Sequence, residues 1–440
     1  MKRKIENKLL EWKINNKGKN ALLIDGARRV GKSFIVKQFA ENNYKSYILI
    51  DFNEVGKEIE NLFDMNLRNL DSFFMYLSAA YNVKLYERES LIIFDEVQLC
   101  PRARAAIKFL VADGRYDFIE TGSLVSIKKN VKDIVIPSEE RHIKMYPMDF
   151  EEFLWAKGEE LIMPLVNDCF KNRKPLGQAM HRKVMTLFRE YLVIGGMPQA
   201  VKEYVESSDF ESVDLVKRDI LSLYRSDIKK YAEGYESKVE SIFDEIPAQL
   251  SKHEKKFTLS ALRKGAKFRN YESAFLWLED SMIANICYNS TDYSAFKMYM
   301  ADTGLLISHA FDEKGIVSEE IYKKLLFGKL EVNEGMIFEN IVAQMLTAND
   351  RRLYFYSNPS RNDKDDRMEI DFLLAKSKTT NRHNVSPLEV KSGKRYTLTS
   401  LKKFRAKYSE QLDESFVLHT EDLSQKDGIT YLPVYMTCLI

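Results

Sequence analysis

Residues Gly26-Ala27-Arg28-Arg29-Val30-Gly31-Lys32-Ser33 constrain this chain more than any other stretch, because they fit the pattern G-x-x-x-x-G-K-[ST]. The apolar run Ala21-Leu22-Leu23-Ile24-Asp25 precedes them and reads as a strand, and Phe34 to Phe39 reads as a helix. A strand, a glycine turn and a helix start aim backbone N–H groups and the positive end of a helix dipole at one anion. Gly26 to Ser33 are thus expected to cradle a nucleotide. Lys32 would reach its β- and γ-phosphates and Ser33 would ligate Mg²⁺. Arg28 and Arg29 either neutralise phosphate charge, pair with nearby carboxylates or face water.

Leu91 to Glu96 is an apolar strand that ends in two carboxylates. Asp95 is expected to hold Mg²⁺ at the carboxyl end of a parallel strand, where doubly wound sheets bind their ligands. Glu96 would polarise the attacking water, as phosphoryl transfer needs a positioned base or orienter. A buried strand running into a solvated acidic turn has the same composition. Tyr47 to Phe52 and Tyr116 to Thr121 fit further strands of one sheet. The polar tip Thr121-Gly122-Ser123 is either a plain turn or, as it resembles the sensor of ATPases that carry an added catalytic glutamate, a place where Thr121 or Ser123 would meet the γ-phosphate. Arg141 is a candidate sensor or trans-acting arginine, with a surface role as its alternative.

The balance of 67 basic and 65 acidic residues gives a net charge of +2, which does not by itself point to a nucleic-acid partner. Cys100, Cys169, Cys287 and Cys438 form no C-x-x-C pair, a pattern suited to a reducing cytosol and without a zinc signature. No run of about 18 apolar residues occurs, so no membrane partner and a cytoplasmic location are expected.

Near the C-terminus, Met368 to Leu374 reads as a strand entering a core, and Pro387-Leu388-Glu389-Val390-Lys391 as a second. Side chains two apart on a strand share a face, so Glu389 and Lys391 project together. If the strands pair, Asp371 and Glu389 can share a divalent cation while Lys391 orients a water, as metal-assisted phosphodiester hydrolysis requires. Glu339 lies on the apolar stripe of Met336, Val342, Ala343 and Leu346. It needs a partner there, either a metal or Lys391. A charged surface hairpin and an inactive site of the same shape are the competing readings.

Between these two regions, Phe153 to Tyr235 reads as helical, broken at Gly195-Gly196-Met197-Pro198. Helices are expected over Glu240–Gln249, Leu259–Lys264 and Glu272–Asp280. Basic residues cluster at Lys252 to Lys256 and at Arg263, Lys264, Lys267 and Arg269, either on a winged helix that meets DNA or on a solvated scaffold.

Four strings lie in order along the chain: GARRVGKS, IIFDEVQ (Ile92 to Gln98), IETGS (Ile119 to Ser123) and YPMDFEEF (Tyr146 to Phe153). Together they resemble the AAA-like bacterial and archaeal P-loop ATPases, many of which carry a C-terminal restriction-endonuclease-like domain. Glu339, Asp371, Glu389 and Lys391 resemble the PD-(D/E)xK core of such a domain. Tyr299 to Leu305 looks like the entry to it, with Asp302 structural.

The resemblance implies an α/β chain. Residues 1–155 would form the AAA-like ATPase domain, 156–235 a helical lid, 236–298 a winged-helix-like domain and 299–440 an α/β restriction-endonuclease-like domain. ATP and Mg²⁺ are the expected cofactors; DNA and further copies of the chain are candidate partners. Two functions stay open. One is an ATPase gating metal-dependent DNA cleavage; the other is a nucleotide-dependent switch whose nuclease-like part only binds.

Overall fold

The computed structural model describes residues 1–65, 69–124, 137–252, 256–311, 324, 334–359, 366–375, 385–393 and 395–440. Part of the expected basic cluster, His253 to Lys255, lies outside them. The chain divides into two compact units, residues 1–146 with 280–282, and residues 147–279 with 283–440.

In the first unit, five strands among the described residues form one parallel sheet. They are β1 (Ala21–Asp25), β2 (Ser46–Asp51), β3 (Ser90–Asp95), β4 (Asp117–Gly122) and β5 (Glu140–Lys144), in the order β2-β3-β4-β1-β5. Every residue of β1, β3 and β4 is buried, as continuous apolar runs in a sheet covered on both faces must be. The strand interposed between β1 and β3 is β4. Its register, Asp25 opposite Gly122 and Phe94 opposite Glu120, brings the carboxyl ends of β1, β3 and β4 to one edge. Phe52, Phe63, Phe73, Phe94 and Phe118 pack in a largely edge-to-face aromatic core on one side.

The second unit begins with helices at Phe150–Ala156, Ile162–Lys171, Gln178–Ile194, Pro198–Ser207 and Phe210–Tyr231. The first has a complete capping box, Asp149 with Glu152, which fixes its start. Helices follow at Glu236–Leu250 and Glu272–Asp280, while Leu259 to Ala261 makes only a short 3₁₀ turn where a longer helix is expected.

Eight strands among the described residues then form a mixed sheet. They are β6 (Ala284–Asn289), β7 (Phe296–Met300), β8 (Tyr354–Asn358), β9 (Met368–Ala375), β10 (Val385–Val390), β11 (Ser415–His419), β12 (Ser424–Lys426) and β13 (Ile429–Pro433). Their order is β12-β13-β11-β10-β9-β8-β6-β7. The hairpin β6–β7, which starts ahead of residue 299, joins this sheet through parallel pairing of β6 with β8.

The glycine break after the long helix has a local cause. Gly195 has φ +82°, and a Cβ there would lie 2.2 Å from Asp302 Oδ1. A Cβ on Gly196 would lie 2.1 Å from the Met148 carbonyl oxygen, and one on Gly304 2.3 Å from that of Ile194. Side chains are thus excluded where Gly195-Gly196 meets Asp302-Thr303-Gly304. Asp302 is buried and caps the helix Thr303–Ala310, accepting from Leu305 N at 2.9 Å.

Candidate functional site

In the first unit the turn after β1 is fixed before any ligand is considered. Met145 N donates to the Asp25 carbonyl at 2.7 Å, and a Cβ on Gly26 would fall 2.4 Å from the Met145 carbonyl oxygen. Arg29 (φ +71°) and Gly31 (φ +94°) take left-handed conformations that curl the loop ahead of the helix Lys32–Asn43. Arg3 Nη1 donates to the Val30 carbonyl at 2.9 Å and its Nη2 to the Tyr146 carbonyl at 2.8 Å. Arg3 belongs to none of the motifs named above, yet it braces this loop. Arg29 is exposed, Arg28 half-buried and Ala27 buried.

Lys32 is buried at 5 % exposure inside the loop, its Nζ donating to the carbonyls of Gly26 (2.8 Å) and Ala27 (3.0 Å). Burial lowers its pKa, while Glu96, Asp25 and Asp95 pull the other way. Ser33 Oγ donates to Asp95 Oδ1 at 2.9 Å, so the loop hydroxyl and the strand carboxylate meet across 62 positions of sequence. Thr121 Oγ1 donates to the same oxygen. Burial raises the Asp95 pKa, and these two hydrogen bonds oppose the rise. A hydroxyl and a carboxylate side by side are the oxygen ligands a hard cation such as Mg²⁺ takes, so the residues fit it.

Glu96 adopts φ 53° and ψ 47°, which turns its side chain off the line of β3. Ser123 Oγ donates to its Oε2 at 3.2 Å, and the Gln98 amide donates to the same oxygen. Thr121 and Ser123 therefore touch Asp95 and Glu96. Gln98 belongs to the string that carries the resemblance, and only the fold shows what it contacts. Arg141 is exposed on β5, opposite Leu22.

Beside β4, Arg104 grips Glu140 with two hydrogen bonds, 2.8 and 2.9 Å. Burial, aided by the charge of Glu140, pushes the carboxyl of Glu120 well above the usual range.

In the second unit β9 and β10 do pair, antiparallel with Leu388 opposite Phe372, and Val390 N donates to Asp371 Oδ2 at 2.8 Å. Lys391 Nζ donates to Glu389 Oε2. The two share one face, as their spacing requires. Glu389 is 4 % exposed, and among the described residues its Oε1 has no hydrogen-bond partner. Burial and the charge of Asp371 push its pKa up to about 8. Burial raises that of Asp371 as well, reinforced by Glu339. Burial lowers the Lys391 pKa, but Asp371 and Glu389 outweigh it and hold it above the ordinary value.

Glu339, on the helix Glu334–Ala348, is met by residues from β7. Tyr299 Oη donates to Glu339 Oε2 at 3.2 Å, and Lys297 Nζ lies 3.8 Å from the same oxygen. Lys391 forms its ion pair with Glu389. Lys297 Nζ also lies 2.8 Å from Glu369 Oε1 and 4.0 Å from Asp371 Oδ1. Burial would lower the pKa of Lys297, but Glu339, Glu369 and Asp371 more than reverse this. Among the described residues no three His, Cys, Asp or Glu side chains converge as a ready metal cage. The orphaned Oε1 of Glu389 beside Asp371 is the position that fits a cation.

Of the basic cluster, Lys252, Arg263, Lys264, Lys267 and Arg269 are exposed, and Lys252 pairs with Glu245 at 3.7 Å. No described helix is long and apolar enough to cross a membrane.

Comparison with known proteins matches three stretches of the chain to family models. Residues 18–154 match the family model described as an AAA domain. Residues 185–314 and 334–437 match two domains of unknown function, DUF8612 and DUF4143. An uncharacterized protein of Haemophilus influenzae is 24% identical over 207 residues, which make up 44% of each chain. The match thus spans less than half of that relative.

Among solved structures, the Walker-type ATPase PABY2304 of Pyrococcus abyssi covers 70% of this chain and 95% of its own, with 17% identity and a TM-score of 0.41. Cdc6p from Pyrobaculum aerophilum covers 75% and 96%, with 12% identity and a TM-score of 0.27. At such scores the likeness carries no weight for partners or mechanism. The family match and the geometry at Gly26 to Ser33 make the N-terminal part a P-loop ATPase domain of AAA type.

Proposed function

We propose that the chain hydrolyses ATP at the edge of its parallel sheet and uses that turnover to control a nuclease-like site in its C-terminal part. The observation that carries the first half is the 2.9 Å contact of Ser33 Oγ with Asp95 Oδ1, with Glu96 held by Ser123 and Gln98. Lys32 exchanges the carbonyls of Gly26 and Ala27 for β- and γ-phosphate oxygens. Ser33 and Asp95 are the residues that hold Mg²⁺, and Thr121 keeps Asp95 aimed. When bound, Mg²⁺ neutralises the charge on the transferred phosphoryl group. Glu96 orients the attacking water, and its fixed carboxylate needs little reorganisation to do so. Arg141 is the candidate for an arginine acting on a neighbouring copy.

Support for the second half comes from the order helix Glu334–Ala348, β8, β9, β10, helix Thr399–Lys407, β11. It brings Asp371 on β9 beside Glu389 on β10, with Lys391 just past the end of that strand, which supports the PD-(D/E)xK reading. The exposed basic residues around Arg263 to Arg269, on the segment that we read as a winged helix, suit a polyanion such as DNA. A second reading, a nucleotide-dependent switch that binds without cutting, is favoured by one observation: Lys297 already neutralises carboxylates of this site.

The test is ATP hydrolysis and cleavage of linear and plasmid DNA in Mg²⁺ or Mn²⁺. Wild type is compared with Lys32→Ala, Asp371→Ala and Lys391→Ala. Cleavage that is lost in the last two and altered by Lys32→Ala is expected. Normal ATP turnover without cutting of any DNA would leave the switch. Cutting that is indifferent to ATP, ADP and Lys32→Ala would remove the control.

A further inference from the structure

We infer that Lys297 is the built-in cation of the C-terminal site, claiming Glu339 and Glu369 and confining divalent-metal binding to Asp371 and Glu389. The inference rests on the metal-binding part of the reading above and alters its ligand set, because Glu339 is removed from it.

The residues come from three elements. Lys297 and Tyr299 are two apart on β7 and so share a face, while Glu369 and Asp371 are two apart on β9. Glu339 approaches from the helix. Lys297 is 1 % exposed, with its ammonium 5.0 Å from the centre of the Phe355 ring. A lysine at that depth cannot carry its charge out to water, as surface lysines do. Its charge is held by Glu369 at 2.8 Å, Glu339 at 3.8 Å and Asp371 at 4.0 Å.

Tyr299 adds a hydrogen bond to the Glu339 oxygen that faces the ammonium. A divalent ion on Glu339 would sit within a few ångströms of this fixed positive charge, and like charges that close in a low-dielectric site repel strongly. Asp371, at 4.0 Å, feels the same charge, but there the open oxygen of Glu389 beside it supplies a second negative ligand. The other side of the cluster differs. There Lys391 engages one oxygen of Glu389, and the second oxygen is buried and meets no hydrogen-bond donor among the described residues. An unpaired carboxylate oxygen at that depth is costly unless a cation or a proton completes it.

The test is Mn²⁺ titration of the nucleotide-free full-length chain, with unbound Mn²⁺ followed by electron paramagnetic resonance. An Asp95→Asn background keeps the N-terminal site from contributing. One Mn²⁺ per chain is expected, lost in Glu389→Gln and changed less than about twofold by Glu339→Gln. Lys297→Met is expected to tighten binding about tenfold or to admit a second ion, the scale on which residues around a metal's ligands act. That gain should vanish on adding Glu339→Gln, and Lys297→Arg should behave as the parent.

A loss of about tenfold or more on Glu339→Gln alone overturns the inference, as does an unchanged titration of Lys297→Met. Lys297→Gln stands in if the methionine variant does not fold. A parent that binds no Mn²⁺, beside a Lys297→Met variant that gains a Glu339-dependent ion, would refute the metal-dependent nuclease and uphold the role of Lys297.

Discussion

Gly196 N donates to Asp302 Oδ2 at 2.6 Å across 106 positions of sequence, tying the break after one helix to the cap of another. Asp302 thus serves backbone donors of both segments, Gly196 N and Leu305 N among them, in a pocket too tight for any side chain at Gly195.

Replacing Asp302 by Ala is expected to destabilise the protein by about 3 kcal/mol, since it removes a helix cap and leaves a second buried N–H unsatisfied. Gly195→Ala should be comparably harmful, because it adds a Cβ at positive φ against the Asp302 carboxylate. Urea denaturation of both variants checks this. A loss below about 0.5 kcal/mol, the level of an ordinary surface substitution, would contradict it.

Lys217 gives this region a pH signature. It is fully buried, its Nζ donates to the Val193 carbonyl at 2.9 Å, and burial lowers its pKa from 10.5 to about 8. The charges of Asp214 and Asp302 oppose that shift. Between about pH 8 and pH 10.5 the unfolded chain therefore holds a proton that the folded chain has lost. Stability should rise with pH across that window, while below it both states hold the proton and the cost of the buried ammonium is present in full. The contribution amounts to about 3 kcal/mol. Lys217→Met should lack the rise, which chemical denaturation at stepped pH would reveal as the difference between two curves.

At the nucleotide site, binding and turnover should separate. Glu96→Gln is expected to keep ATP affinity within a few-fold while slowing phosphate release about 10²- to 10⁴-fold, the usual range for a lost general base. Lys32→Ala should lose both. Ser123→Ala leaves Glu96 with its Gln98 contact and should lower kcat more than it changes KM. Fluorescent-nucleotide binding together with a phosphate-release assay measures each, and unaltered turnover in Glu96→Gln would exclude its role.

The nucleotide site was legible because its parts are local. A strand, Gly26 to Ser33 and a helix follow one another, and Asp95-Glu96 closes an apolar strand that has few places to go in a parallel sheet. The pairing of Asp371 with the Glu389 strand was legible for a similar reason, since only one polar loop separates them. The partner of Glu339 was not. Burial on an apolar stripe predicts that a partner exists, but nothing in the alternation of β7 marks Lys297 as inward. A lysine between two apolar residues reads equally well as the solvated face of a strand. Gly195-Gly196 announced a turn without naming Asp302, because a backbone donor leaves no trace in sequence. Arg3 was hidden likewise, as carbonyl acceptors are the same in every residue.

The placement of Lys297 bears on how this protein can be divided or recombined. The lysine belongs to the stretch 185–314, whereas Glu339, Glu369 and Asp371 belong to the stretch 334–437, although one sheet unites them. A fragment starting at Glu334 would inherit the acids without the base that balances them. It would also bare the edge of β8 that β6 now covers. The two stretches can therefore be transplanted into another protein only as a pair.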